Sequence, residues 1–229
     1  MADIRTADEQ KIIYVEKMGE DLGKVFHALW QQVAWLHSKW EEYVVLFGTK
    51  PSRIDLVNEA APLFFRIVED SLFEDTLLHI ARLTDPTESV GKENLTIRML
   101  PSLINEEKLK IDIQKRVDLA IDKAGFCRDW RNRRIAHHDF ELALKAGATP
   151  LQPASREKVK AALEAIVSVL DAVTLHYFDS STAFDTSSNR GGAESLIYVL
   201  DDGLKAKAER IERRKSGEVD PKDFTAHDL

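Results

Sequence analysis

From Val25 to Trp40 the apolar side chains Val25, Phe26, Leu29, Val33, Leu36 and Trp40 recur at steps of three and four residues. That spacing gathers them on one face of an α-helix, whereas a half-buried strand would alternate every second residue. The same rhythm governs most of the chain, and no segment alternates convincingly. Only 10 glycines and 7 prolines punctuate 229 residues. Such a pattern predicts an all-α, up-and-down bundle of long helices.

Local signals place the helix ends. "TADE" offers a capping box of Thr6 with Glu9, so the first helix is expected from Thr6 to about Phe47, with Gly48 as its stop. "SRID" suggests a second capping box at Ser52, and Pro62 should kink that helix or open another. The pattern then continues to Asp85-Pro86, followed by a polar loop over 85–93. "NLTIRMLPSLI" reads as a short helix interrupted at Pro101, and Asn105 as the cap of a long helix reaching about Phe140. Ser155 should cap another strongly amphipathic helix. The predicted domain plan is a bundle over 1–180, a linker or loop over 181–192, a peripheral C-terminal helix over 193–216 and a disordered tail over 217–229.

Composition narrows the function classes. A net charge of -7 argues against coating nucleic acid with a broad basic face, though it leaves room for a small basic pocket. The single cysteine, Cys127, excludes an internal disulfide and a cysteine-based zinc site, and suits a reducing cytoplasm. No basic segment followed by an apolar core opens the chain, so secretion is not expected. The apolar run "ALEAIVSVLDAV" is cut by Glu164 and Asp171, so no membrane span is expected either.

The chemistry concentrates in "CRDWRNRRIAHHDFEL", residues 127–142. At about 100° per residue, Arg131 and His138 share a face of a regular helix. His137 points elsewhere unless the helix distorts or ends there. Adjacent histidines cannot both line one pocket on a regular helix, so one of the two is primary and both stay candidates.

"RNRRIAH", from Arg131 to His137, resembles the Arg-x(4–6)-His motif of the HEPN superfamily, with Asn132 as the polar residue after the arginine. The blocks "FFRIVEDSLFEDTLLHIARLTDP", "NLTIRML" and "RNRRIAHHD", in that order across roughly residues 55–140, are similar to the AbiU-like abortive-infection branch. The resemblance implies a HEPN-type helical bundle that forms a homodimer. In active members it implies a metal-independent endoribonuclease serving phage defence or a toxin role, with no cofactor. An antitoxin or regulatory protein is a possible further partner. By the family pattern Arg131 clamps phosphate, His137 acts as acid or base, and Asn132 orients the histidine or the phosphate; His138, which the regular-helix geometry favours, is the alternative to His137. Arg128, Arg134 and Trp130 would flank the RNA.

Other assignments compete. Arg128, Arg131, Arg133 and Arg134 could simply form a solvated face paired with Asp122, Asp129 and Asp139. The same pocket could bind a nucleotide or protein without catalysis. His138-Asp139 also mimics the ligand pair of HD-type metal phosphohydrolases, with His79 as the upstream histidine. Trp30, Trp35, Trp40 and Trp130 are expected in the core or a dimer interface, and Cys127 as an inert packed thiol.

Overall fold

A computed structural model describes residues 6–137, 139–144, 147–181, 184, 191–218 and 220–221. The helices are α1 (Ala7–Met18), α2 (Glu20–Phe47), α3 (Pro51–Ala60), α4 (Pro62–Leu83), α5 (Leu100–Leu103), α6 (Glu107–Lys123), α7 (Gly125–Trp130), α8 (Phe140–Leu144), α9 (Arg156–Phe178) and α10 (Ala193–Ser216). A two-residue antiparallel ladder, β1 (Glu88–Ser89) with β2 (Lys92–Glu93), is the one sheet among the described residues. The protein is all-α, as its periodicity requires. It divides into two compact units, residues 1–40 with 72–186 and residues 41–71 with 187–229.

In the first unit, one apolar stripe from each long helix meets in a shared core. Phe26, Leu29, Val33 and Leu36 come from α2, and Leu77 and Ile80 from α4. Ile113 and Val117 come from α6, and Ile166 and Leu170 from α9, all essentially inaccessible. The Thr6 capping box forms in full, with Thr6 N–H donating to Glu9 at 2.7 Å and Glu9 N–H to Thr6 Oγ1 at 3.3 Å. Ser155 likewise accepts from Lys158 N–H at 3.3 Å at the start of α9.

The expected single helix from Thr6 to Phe47 is two. Gly19 takes φ +87°, a conformation that costs glycine nothing, and breaks the run between α1 and α2. Gly23 then lies so close to α1 that a Cβ there would sit 2.6 Å from Val15 Cα. The cap expected at Ser52 is also absent. Pro51 opens α3 after Lys50, and no side chain caps it. Pro62 begins α4 rather than kinking a longer helix. Asn105 is displaced by Glu106 as the residue before α6, again without a side-chain cap. Pro101 lies in the first turn of α5 instead of interrupting a helix, after a 3-10 turn over Ile97–Met99.

α9 corrects the membrane expectation in one respect. Taken whole, it is long and apolar enough to span a bilayer, because Glu164 and Asp171 are too few to break the run. Its apolar stripe, including Val159, Leu163, Ile166, Val169, Leu170 and Val173, is buried in the core.

In the second unit, Leu46, Val57, Phe65 and Ala193 form a smaller core. Here α10 begins on the Glu42 carboxylate, which accepts the Ala193 N–H and places negative charge at the positive end of the helix. Arg53 adds an ion pair to Glu194 at 3.7 Å. The linker expected over 181–192 lies mostly outside the described residues. The tail does too, apart from 217–218 and 220–221.

Candidate functional site

The long helix expected from Asn105 to Phe140 is interrupted twice. α6 ends at Lys123, α7 follows from Gly125 to Trp130, and Arg131–Ile135 forms a π-helical turn. The Ala136 N–H closes that turn on the Arg131 carbonyl at 2.8 Å, five residues back. Such turns are rare and frequently mark functional segments. Beyond Ile135 the helix stops, and Ala136 and His137 lie in bends. The regular-helix geometry that separated Arg131 from His137 therefore does not apply. His137 is exposed, and His138 lies outside the described residues.

Asp139 anchors the exit from the turn. Its N–H reaches the Arg133 carbonyl at 3.1 Å, and its Oδ1 accepts the Leu142 N–H at 2.9 Å, starting α8. That hydrogen bond, aided by Arg133, holds the Asp139 carboxyl below its usual range.

Each arginine of the segment has a distinct surrounding. Arg131 donates through Nη1 to the Asp85 carboxylate and through Nε to Asn132 Oδ1 at 3.0 Å. The pair is largely buried, with the two side chains 24% and 17% exposed. Arg128 turns inward, donating to the Ile121 carbonyl at 2.7 Å and to Thr84 Oγ1 at 3.2 Å. Arg133 donates to the Thr149 carbonyl at 2.6 Å and pairs with Asp129 at 3.5 Å and Asp139 at 3.6 Å. Arg134 is more open. It pairs with Glu74 at 2.8 Å and lies over the Trp130 ring, 5.4 Å from its centroid.

Trp130 is a packed tryptophan. Its Nε1–H donates to the Gln152 carbonyl at 2.8 Å, and Phe73 meets its ring edge-on at 5.9 Å. Trp30 and Trp40 also pack against the core, whereas Trp35 is 63% exposed and so, of the two expected places, lies outside the core. Cys127 is fully buried, and burial pushes its thiol up to about 12, which leaves it inert at neutral pH.

Of the sequence candidates, Arg131 and Asn132 are hydrogen-bonded to each other, and Arg134 and Trp130 stack. Arg128 faces the interior. Asp85 and Glu74 were not singled out in the sequence. Both fall inside the "FFRIVEDSLFEDTLLHIARLTDP" block, which is the one signal that could have found them.

The metal-site alternative gains nothing from the geometry. His79 is buried on α4 with its Nε2 bonded to Gln32 Oε1 at 3.0 Å, and Asp139 is engaged as a cap. Among the described residues no three His, Cys, Asp or Glu side chains come together as a metal set.

The sequence model of the HEPN family AbiU2 matches residues 19–195, which include α2 through α9 and the π turn. The chain belongs to the AbiU2 family of HEPN proteins. No curated protein and no solved structure matches it. Membership ties this AbiU2 protein to abortive infection at the level of the family. The matched range contains "RNRRIAH", which falls on the π turn and the bends after it.

Proposed function

We propose that this AbiU2 protein is a metal-independent endoribonuclease of the cytoplasm that acts in phage defence or as a toxin. The carrying observation is the π turn over Arg131–Ile135, which joins a side chain-paired Arg131 and Asn132 to an exposed His137. Cleavage through the 2′-OH needs three things: a base for that hydroxyl, positive charge on the phosphorane and an acid for the leaving 5′-oxygen. An imidazole near neutral pKa serves as base or acid, and a guanidinium stays charged while clamping two phosphate oxygens. The 2′-oxygen attacks phosphorus, the base takes its proton, and the acid protonates the departing 5′-oxygen. The products are a 2′,3′-cyclic phosphate and a 5′-hydroxyl.

Arg131 is the phosphate clamp and His137 the acid/base, with His138 its alternative. Asn132 orients the guanidinium through its 3.0 Å hydrogen bond. One Arg-His set is thin for three roles, so the proposal places two copies across the groove of a homodimer. RNA cleavage by wild type, Arg131→Ala and His137→Ala, each with EDTA, tests it. Loss of cutting in both variants supports the assignment, and equal cutting by all three removes these residues from the reaction.

A second reading rests on the Asp85–Arg131 pair. A guanidinium already neutralised by a carboxylate suits a scaffold that binds RNA or a protein without cutting. Ligand-induced thermal stabilisation with no turnover would favour that reading.

A further inference from the structure

Asp85, the partner of Arg131, also forms part of the wall of a cavity of about 520 Å³ in the first unit. Two helices supply most of its lining. Gln32, Trp35 and Lys39 project from α2, and His79, Arg82 and Leu83 from α4. The 85–95 loop closes one side with Asn94 and Leu95. Spacings of three and four residues put each helical set on one face.

The charges around this cavity nearly cancel. Lys39 is neutralised by Asp75, and Asp85 by Arg131. Arg82 and Glu93 contribute one charge of each sign. His79 carries none at neutral pH, since burial above all, with Lys39 and Arg82, lowers it to about 4 against the opposing effect of Asp75. A lining of that kind does not select a phosphate.

It does offer a flat apolar face and paired amide groups. Trp35 is 63% exposed, unusual for so large a ring, and Leu95 lies in the same wall. His79 Nε2–H donates to Gln32 Oε1 at 3.0 Å, which fixes that amide and leaves its NH₂ as a donor. Asn94 spends its NH₂ on the Pro86 carbonyl at 2.9 Å and Ser89 Oγ at 3.0 Å, leaving its oxygen as an acceptor. A neutral ring with donors and acceptors on its edge matches this set, and that is the chemistry of a nucleobase.

We propose that the cavity is a nucleobase subsite, in which one unstacked base of a single-stranded RNA lies on the Trp35 ring with its edge toward Gln32 and Asn94. The inference rests on RNA being the ligand at Arg131 and adds the form it must take. A paired base cannot reach the ring, so the ligand is single-stranded at that nucleotide.

The test is fluorescence anisotropy with a labelled single-stranded 2′-O-methyl oligoribonucleotide, which cannot be cut through the 2′-OH. Wild type, Trp35→Ala and Trp35→Phe are compared, with molecular mass and melting temperature measured for each. Loss of a base–aromatic stack raises the Kd of Trp35→Ala roughly 5- to 150-fold, while Trp35→Phe retains most of the affinity. The same strand annealed to its complement binds more weakly. Equal Kd for wild type and Trp35→Ala overturns the proposal, as does no binding by wild type. A loss of affinity accompanied by a change in mass also overturns it, because Trp35 is then a subunit contact. Binding without any cutting of ordinary RNA retires the nuclease reading and leaves the base subsite standing. Cutting with an unchanged Kd in Trp35→Ala does the reverse.

Discussion

Arg131, the first residue of the π turn, is held by Asp85 at the end of the α4 segment, 46 residues earlier in the chain. Neither residue belongs to a local motif with the other, and both side chains are mostly withdrawn from water. This contact fixes where the Arg131 guanidinium lies. Asp85→Ala is expected to lower stability by about 1–3 kcal/mol, because it leaves a largely buried cation without its acceptor. On the proposed role of Arg131 as phosphate clamp, RNA cleavage should fall as well, roughly ten- to a hundredfold, as its guanidinium loses its orientation. Urea denaturation and a cleavage assay measure the two effects, and an unchanged midpoint with full activity contradicts this role.

Arg128 acts on the fold rather than on solvent. Its fork bridges the Ile121 carbonyl and Thr84 Oγ1, tying the end of α6 to the residue after α4. Arg128→Ala should cost about 2–3 kcal/mol, the scale of hydrogen bonds made by a charged donor. Arg128→Lys should recover little of it, since one ammonium cannot span both acceptors. Equal stability of the lysine variant and wild type in chemical denaturation would refute this.

His79 predicts how stability depends on pH. Its folded-state value is lowered to about 4 from 6.5, so between those limits the unfolded chain binds a proton that the folded chain refuses. The stabilising contribution is complete above pH 6.5 and is lost as pH falls toward 4, at up to ~1.4 kcal/mol per pH unit. His79→Gln should flatten that part of the stability profile. Parallel profiles for the two proteins would show that another group is responsible.

Gly23 sets the approach of α1 to α2. An added Cβ would sit 2.6 Å from Val15 Cα and 2.8 Å from the Tyr14 carbonyl carbon, backbone atoms that cannot step aside cheaply. Gly23→Ala should therefore destabilise by about 1–3 kcal/mol, although alanine is the better helix former by about 1 kcal/mol. A raised melting temperature would contradict the packing.

What the sequence displayed was local. The Thr6 box, the Ser155 cap and the three- and four-residue rhythm are each written in a few neighbouring residues, and each appears in the fold. Gly19 misled because one glycine inside an apolar rhythm is compatible with a continuous helix. Only the positive φ, fixed by how α1 packs, reveals the break. The π turn has no compositional mark, since Arg131–Ile135 would serve equally well in an α-helix. Asp85 and the exposed Trp35 depend on which helices become neighbours, so neither the anchor of Arg131 nor the cavity beside it was legible. The family was, because the order of its blocks along the chain is a linear property.

The most direct measurement is the chemistry of the ends produced when purified protein is incubated with an oligoribonucleotide in EDTA. Mass spectrometry should find 2′,3′-cyclic phosphate and 5′-hydroxyl ends with wild type, and neither with Arg131→Ala nor His137→Ala. Intact RNA, ends bearing 3′-hydroxyl and 5′-phosphate, or undiminished cutting by either variant would contradict cleavage by this guanidinium and imidazole.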